Sequence, residues 1–350
     1  MKSLLCVAIG FTLLIDGFSL GCTAAGASEL LDDTNKIEIL TPEQARKLAE
    51  EFRGAEVEME FKGVGKQAVI HCLPLNGLKS LDAETAQALA GYDKGPLLLD
   101  GLSKLDADTA KALAEFNRRY LYLNGLTAID AETATSLAEF RATGLSLNGL
   151  TKLDAETAKT LAEFKGKTLF LNGLTALDAE TAKALADFEG HDLCLSGIAS
   201  LSPEAAKALA GFRGWQLFLN GVTKLDVETA KALAEFKGNT IYLDGVTSLG
   251  TDAASALAAF KGSKSYCLSL SGLTELDAAT AMAFVPFEGG GLVLSGLKQI
   301  DADTASALAE RKGGTLCLDG LQEIDADITK TLMKFEGKLF PLREKYQFLR

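Results

Sequence analysis

The sequence predicts an α/β solenoid, a right-handed stack of strand–turn–helix units with a parallel sheet on one side and helices on the other. Three observations predict it. A glycine closes a Leu-x-Leu-polar stretch every 24 residues from Gly77 to Gly320, except for one interval of 27 residues between Gly245 and Gly272. Leucines alternate before each of these glycines, and a helix-start motif follows nearly all of them. Such a period indicates repeats that bury their apolar sides only against neighbouring repeats.

Each repeat begins with a short strand. Leu169 and Leu171 alternate with outward residues at a period of two, which is typical of a strand with one buried face. Asn172-Gly173 follows, and Asn-Gly often forms the turn of a hairpin. A helix cap comes only five residues after Gly173, so this pair turns the chain out of the sheet instead. Because a helix separates consecutive strands, the strands must run parallel.

Polar residues with the properties of an N-cap mark the helix starts. Asp178 precedes a helical pattern, and its place is taken elsewhere by Ser202-Pro203-Glu204 and Thr41-Pro42-Glu43. A capping Ser, Thr or Asp, followed by Pro at the first helical position and Glu in the first turn, is typical of a helix N-terminus.

The apolar residues of each helix fall on one face. Ala182, Leu185 and Phe188 recur three residues apart, which places them on the side that packs against the sheet. The predicted helix is about ten residues long, close to the average for globular proteins. Gly214 and Gly238, which recur in phase after the helices, are expected to be the left-handed residues that end them.

The N-terminus predicts export. The apolar run from Leu4 to Ile15 has 12 residues, fewer than the ~20 that span a bilayer. Ala25-Gly26-Ala27 matches a cleavage site, so residues 1–27 are predicted to be a signal peptide. Lipid attachment at Cys22 is an alternative, because Gly21-Cys22 resembles the end of a bacterial lipoprotein signal. The predicted location is therefore periplasmic, envelope-associated or secreted.

The predicted organisation has three parts after the signal peptide. Residues 28–70 form an N-terminal cap with one helix and an extra strand near Val57–Phe61, residues 71–337 form a solenoid of about 11 repeats, and residues 338–350 form a C-terminal cap. The three-residue insertion near Ser263–Ser265 maps to a loop, where either function or drift explains it.

The repeat resembles the leucine-rich repeat family over residues 71–340, in its bacterial secreted type with 24-residue repeats. The resemblance is carried by the columns Leu145, Leu147, Leu150 and Leu153. It implies a curved solenoid with the sheet on the concave face and helices on the convex face. It also implies that the concave face binds macromolecules, usually proteins. The family's buried polar ladder lies in the column of Leu150, whereas the polar residue of this chain comes two positions earlier. Whether a ladder forms is therefore open.

The composition and motifs argue against several functions. The formal net charge of −12, from 47 acidic and 35 basic residues, would repel a nucleic-acid backbone. His71 and His191 lie about 24 Å apart at a strand spacing of ~4.8 Å, too far to share a metal. No Ser-His-Asp, Cys-His, Walker or G-x-G-x-x-G arrangement occurs in a fitting context. The repeated Asp-Ala-Glu-Thr motifs are explained as helix starts. We expect no enzyme, no cofactor and no metal site.

Four cysteines follow the signal peptide, namely Cys72, Cys194, Cys267 and Cys317. They lie on different predicted strands, and the closest pair is about 9.6 Å apart. A disulfide needs Cα atoms within about 7 Å. We therefore expect four free thiols.

The outward column of the sheet carries an aromatic stripe bordered by Asn, Asp and Ser. In one interpretation it is a contact surface for a protein or glycan. In another it has a structural role, either by self-association into a homodimer or surface layer or by packing along the sheet. No membrane span is expected. The predicted partner-binding residues are Tyr120, Tyr122, Phe170, Trp215, Phe218 and Tyr242.

Overall fold

The computed structural model of the chain describes residues 34–60, 67–117, 119–261, 267–322 and 324–340. The chain divides into a first unit, Met1–Gly173, and a second unit, Leu174–Arg350. The predicted signal peptide at 1–27, the alternative lipid site at Cys22 and the insertion at Ser263–Ser265 lie outside the described residues.

The first unit begins with a 3₁₀ turn at Thr34–Lys36 and a helix, α1, at Pro42–Glu51. Strands β1 (Ala55–Glu60) and β2 (Gln67–Pro74) pair antiparallel, and from β2 onwards the strands pair parallel, in chain order. The later elements of this unit are α2 (Ala83–Ala90), β3 (Leu97–Leu98), α3 (Ala107–Leu113), β4 (Tyr120–Tyr122), α4 (Ala131–Ala138), β5 (Gly144–Ser146), α5 (Ala155–Ala162) and β6 (Thr168–Phe170).

The second unit repeats the same alternation of helix and strand, with parallel strands wherever pairing is described. Its elements are α6 (Ala179–Ala186), β7 (Asp192–Cys194), α7 (Pro203–Leu209), β8 (Gln216–Phe218), α8 (Val227–Ala234), β9 (Thr240–Tyr242), α9 (Thr251–Leu257), β10 (Cys267–Ser269), α10 (Ala278–Ala283), β11 (Gly291–Val293), α11 (Ala302–Glu310), β12 (Thr315–Cys317), α12 (Ala326–Leu332) and β13 (Lys338–Phe340).

The leucine columns form the core of both units. Leu145 and Leu147 are fully buried, and Leu150 is buried behind them, while Ala182, Leu185 and Phe188 of a later repeat are buried on the helix side. Parallel strands alternating with helices confirm the predicted α/β solenoid-like fold, which is leucine-rich-repeat-like.

The predicted helix starts are confirmed. Asp178 accepts a hydrogen bond from the backbone N–H of Thr181 at 2.7 Å, and this bond lowers the pKa of Asp178. Ser202 caps α7 in the same way, and Thr41 forms a capping box with α1. Most helices have seven or eight residues, fewer than the predicted length of about ten, whereas α1 has ten.

The threonine of the Asp-Ala-Glu-Thr motif has a second role that the sequence did not indicate. Thr133 Oγ1 donates to the Leu105 carbonyl at 3.2 Å, and Thr304 Oγ1 donates to the Leu276 carbonyl at the same distance. Each acceptor belongs to the preceding repeat. In these repeats the motif therefore starts a helix and also ties that helix to its neighbour, whereas Thr157 Oγ1 donates to its own cap residue, Asp154.

The prediction that left-handed glycines end the helices is wrong for Gly214 and Gly238. Neither has a positive φ. A Cβ on either residue would lie 2.1 Å from the Cζ of the buried phenylalanine two positions earlier, Phe212 or Phe236. Glycine is required here by close packing: the phenylalanine ring lies against the backbone, where no side chain fits.

A polar ladder does form, two positions earlier than in the usual pattern. Asp100 Oδ1 accepts from the Asn124 N–H at 2.9 Å, Asn124 Oδ1 from the Asn148 N–H at 3.0 Å, and Asn148 Oδ1 from the Asn172 N–H at 2.8 Å. The following glycine allows this approach, because a Cβ on Gly149 would lie 2.2 Å from the Asn124 carbonyl oxygen. The ladder satisfies backbone donors where the chain leaves the sheet.

The ladder extends into the predicted N-terminal cap. Asn35 Oδ1 accepts from the Asn76 N–H at 3.3 Å, and the Lys79 N–H donates to the Glu38 carbonyl at 3.1 Å. Asn35 thus occupies the ladder position of a repeat ahead of Gly77, with β1 inserted after its helix. The strand expected at Val57–Phe61 is found at Ala55–Glu60.

At the other end, β13 continues the sheet by pairing with β12. Residues 341–350 of the predicted C-terminal cap lie outside the described residues. The domain boundaries proposed from the sequence stay predictions.

Candidate functional site

Three of the predicted binding residues lie together on the sheet face of the first unit. Tyr120 is paired with Gly144, and Tyr122 is paired with Ser146, which is paired in turn with Phe170. The strand leucines between them are fully buried on the opposite face. Because side chains alternate across a strand, the three aromatic residues face away from the leucine core.

The Tyr120 ring occupies the centre of this aromatic group. Its centroid lies 6.3 Å from that of Tyr122 and 6.2 Å from that of Phe170, two strands away. A Cβ on Gly144 would lie 2.4 Å from Tyr120 Cδ1, so the absence of a side chain on β5 makes room for the ring. Tyr120 and Tyr122 are half-buried, whereas Phe170 is only 2% exposed.

A polar border lies beside these rings. Ser146 Oγ donates to Asn124 Oδ1 at 2.7 Å and accepts from Asn148 Nδ2 at 3.1 Å, so it is joined to the ladder. Burial raises the pKa of Asp100 in the same ladder, against the effect of hydrogen bonds from Asn124. Burial is also the main cause of the raised pKa of Tyr122.

In the second unit, Phe218 and Tyr242 form a stacked pair on neighbouring strands. Their ring centroids are 4.2 Å apart and their planes differ by 3°. Phe218 is 2% exposed and Tyr242 is fully buried. The Tyr242 hydroxyl has no hydrogen-bond partner among the described residues, and burial raises its pKa. These two rings pack along the sheet.

Trp215 is in a different environment, immediately before β8. It is 49% exposed, and its ring stacks on that of His191 with centroids 4.0 Å apart and planes 7° apart. The Trp215 N–H donates to the His191 carbonyl at 2.6 Å. Stacking and backbone pairing thus fix the orientation of a half-exposed indole.

The six predicted residues differ in exposure. Phe170, Phe218 and Tyr242 are buried among rings of neighbouring strands. Tyr120 and Tyr122 are half-buried, and Trp215 is the most exposed of the six. Whether any of them contacts a partner stays a prediction.

His191 belongs to this region and was not among the predicted residues. The signal was available in the sequence, because His191 precedes Trp215 by one 24-residue repeat and so occupies the same column. Stacking of two in-phase rings follows directly from that spacing.

The first unit also has a groove of about 750 Å³ on its helix side. The charged side chains in its lining are three acids and three bases, a balance typical of a solvated helix surface. These residues are Lys111, Glu115, Glu139, Arg141, Glu163 and Lys165. The lining therefore gives the groove no preference for a ligand of either charge.

Other features of the described residues bear on chemistry. No group of three or more His, Cys, Asp or Glu residues there is arranged to hold a metal ion. Cys72, Cys194, Cys267 and Cys317 are buried, and none of them forms a disulfide bond within the described residues. Within the same ranges, no helix has the length and apolar content needed to cross a bilayer.

Comparisons with known proteins identify no family. No family model and no curated protein matches the sequence. Among solved structures, the chain is similar to one described as "Structure of the Toll - Spatzle complex, a molecular hub in Drosophila development and innate immunity". The identity is 11% and the TM-score 0.43, over 77% of this chain and 36% of that chain. This chain thus spans well under half of that protein's length. At this score the similarity supports no conclusion about function, and the fold assignment rests on the strand pairing and the repeats.

Proposed function

We propose that the chain is a non-enzymatic recognition module that binds a protein partner through half-exposed aromatic side chains. Tyr120 and Tyr122 are the proposed contacts in the first unit, and Trp215 is the proposed contact in the second. The observation that carries the proposal is that Trp215 is 49% exposed while its ring is stacked on His191. A ring already fixed in place loses little conformational freedom on binding.

The residue types support the same proposal. Tyrosine and tryptophan are enriched at protein interfaces, where they provide much of the binding energy. The buried Phe170, Phe218 and Tyr242 take a supporting role in this proposal, because they pack beside the exposed rings or along the sheet. The shifted aspartate pKa values have structural causes, namely helix caps and burial in the ladder, so they do not favour catalysis.

Photocrosslinking tests the proposal. A photoreactive phenylalanine derivative replaces Trp215 or Tyr122, and the protein is irradiated in the cells that make it. Met282, which is 44% exposed on α10, is the matched control position. Protein adducts from positions 215 and 122 but not from 282 are expected. Adducts that shift in mass on glycosidase treatment would favour a glycan ligand instead, and no position-dependent adduct would overturn the proposal.

A structural role is the second candidate, favoured by the burial of half of the aromatic stripe. In this case the exposed aromatic residues mediate self-association into a homodimer or a surface layer. Light scattering distinguishes the two, since self-association gives a mass that rises with concentration. Trp215→Ser should then abolish the rise, and Met282→Ser should not.

We also propose that the protein is exported, as a bacterial protein of the secreted leucine-rich-repeat type. The support is the apolar run Leu4–Ile15, followed by Ala25-Gly26-Ala27. Sequencing of the mature N-terminus tests this. A mature chain that begins at Ser28 would indicate cleavage after Ala27, and one that begins at a modified Cys22 would indicate a lipid anchor. A chain that still begins at Met1 would contradict export.

A further inference from the structure

A column of phenylalanine rings runs through the helix side of the second unit. Successive rings lie between 6.1 and 6.5 Å apart, with their planes within 19° of parallel. They come from the same position of consecutive repeats, and each is almost completely buried. The rings are those of Phe188, Phe212, Phe236, Phe260 and Phe287.

Arg311 occupies the next place in the column. It follows Phe287 by 24 residues, and it is only 1% exposed. Its guanidinium carbon lies 5.0 Å from the centroid of the Phe287 ring. The column resumes with Phe335, which is 2% exposed. One layer of the aromatic column is therefore a buried cation.

Not all hydrogen-bond donors of the buried Arg311 side chain have a partner within the described residues. Nη2 donates to the Gly289 carbonyl at 2.7 Å and Nη1 to the Thr315 carbonyl at 3.1 Å, but Nε has no partner in the part of the chain described. No carboxylate among the described residues pairs with Arg311. Burial lowers the pKa of Arg311 to about 10, so the side chain is still charged at neutral pH. A buried charge without a counter-ion weakens the packing around it.

The backbone of this layer differs from that of the phenylalanine layers at Phe212 and Phe236. Gly313 and Gly314 both have φ of 71°, whereas Gly214 and Gly238 have no positive φ. Arg311 ends α11 in an extended conformation, with φ of −61° and ψ of 134°. A Cβ on Gly314 would lie 3.0 Å from Arg311 Nη2. The guanidinium thus lies close against the backbone of this left-handed turn.

The repeat that follows depends on this layer. It consists of β12, α12 and β13, and within the described chain it packs on only one neighbouring repeat. In a stack of repeats, stability is approximately the sum of each repeat's own contribution and its contacts with neighbours. Among the residues that the structure describes, 315–340 contact the earlier repeats only across this layer, so a weak layer here is where the stack separates.

We propose that residues 315–340 form a separately opening unit, which detaches at the Arg311 layer while the repeats before it stay folded. Opening frees the hydrogen-bonding edge of β11, since the Leu294 N–H donates to the Cys317 carbonyl only while β12 is in place. The stack thus has an equilibrium between docked and detached forms of residues 315–340.

Amide hydrogen exchange tests the proposal, because three equivalent amides report on successive strand pairs. The Leu270 N–H donates to the Val293 carbonyl, the Leu294 N–H to the Cys317 carbonyl and the Leu318 N–H to the Phe340 carbonyl, each at 2.9 Å. We expect the amides of Leu294 and Leu318 to exchange together, at least ~30-fold faster than that of Leu270, equivalent to about 2 kcal/mol. Similar rates at all three amides would overturn the proposal.

Substitution of Arg311 separates this effect from ordinary fraying of the last repeat that the structure describes. Arg311→Phe should restore the column and slow exchange at Leu318 at least ~10-fold, with Leu270 unchanged. Arg311→Met removes the charge without adding a ring and should slow exchange at Leu318 to a smaller extent. This variant tests the proposal if Arg311→Phe does not fold. A folded variant with unchanged exchange at Leu318 would show fraying independent of Arg311, and the proposal would be wrong.

Discussion

Helix α9 lacks the cap that the other repeat helices have, and Gly250→Asp should supply it. Gly250 is the N-cap residue of α9 and makes no side-chain hydrogen bond. Its backbone, with φ of −78° and ψ of 155°, is close to that of the capping Asp226, with φ of −81° and ψ of 169°. A Cβ at position 250 would meet nothing within 4 Å. An aspartate therefore fits without strain and can accept from the Ala253 N–H.

The expected gain in the free energy of unfolding is about 1 kcal/mol. Replacing glycine by aspartate at an N-cap contributes a few tenths of a kcal/mol. Loss of the glycine's freedom in the unfolded chain adds roughly 0.4–1 kcal/mol. A negative charge at a helix N-terminus contributes roughly 0.3–1 kcal/mol, but this overlaps with the capping bond. About 1 kcal/mol is therefore a conservative sum.

Urea unfolding followed by circular dichroism measures the gain, with Gly250→Ala and Gly250→Asn as controls. The alanine variant restricts the unfolded chain without a cap, and the asparagine variant caps without a charge. If Gly250→Asp is no more stable than Gly250→Ala, the reasoning is refuted.

The pH dependence provides a second check on the capping bond. The Thr280 N–H lowers the pKa of the equivalent cap Asp277. By the same mechanism, the charge-dependent part of the gain should be present above the unfolded-state pKa of about 3.9 and lost as the pH falls through the lowered folded-state value. Gly250→Asn should show no such loss.

Two further predictions concern the glycine column and the polar ladder. Gly214→Ala should destabilise the protein by roughly 1–3 kcal/mol, because the new Cβ would lie 2.1 Å from Phe212 Cζ. A change in the free energy of unfolding equal to that of Gly250→Ala would contradict this prediction. Asp100→Asn should raise the urea midpoint at pH 7, since burial raises the pKa of Asp100 and makes its carboxylate unfavourable in the folded state. That penalty disappears below the unfolded-state pKa of about 3.9, so an advantage for the variant that persists at pH 3 would count against the explanation.

The elements that depend on local sequence were predictable. Capping by Asp178, Ser202 and Thr41 requires only a side chain and the next turn of the same helix, so the motif predicts it. The parallel sheet followed from the period. The polar ladder was predictable only in part. The Asn column is evident in the sequence, but each backbone donor and its side-chain acceptor are 24 residues apart, so only the packing distance between repeats shows that the hydrogen bond forms.

The exposure of the outward aromatic residues could not be predicted, because it depends on rings from other strands. Tyr120 reaches Phe170 two strands away across Gly144. Phe218 and Tyr242 cover each other. A period of two assigns a residue to a face of the sheet but does not determine how the rings on that face lean.

The close fit of each closing glycine has a consequence for how such a chain can change in length. A Cβ on Gly125 would lie 2.2 Å from the Asp100 carbonyl oxygen, and one on Gly149 would lie 2.2 Å from the Asn124 carbonyl oxygen. Because the junctions from Gly101 to Gly173 and from Gly221 to Gly320 use the same contact, a whole 24-residue module within either run can be duplicated or deleted and both new junctions will still match. A change of a few residues within a module brings a mismatched pair of surfaces together. Array length is therefore expected to vary in whole modules, which also makes the chain a practical scaffold for proteins of chosen length.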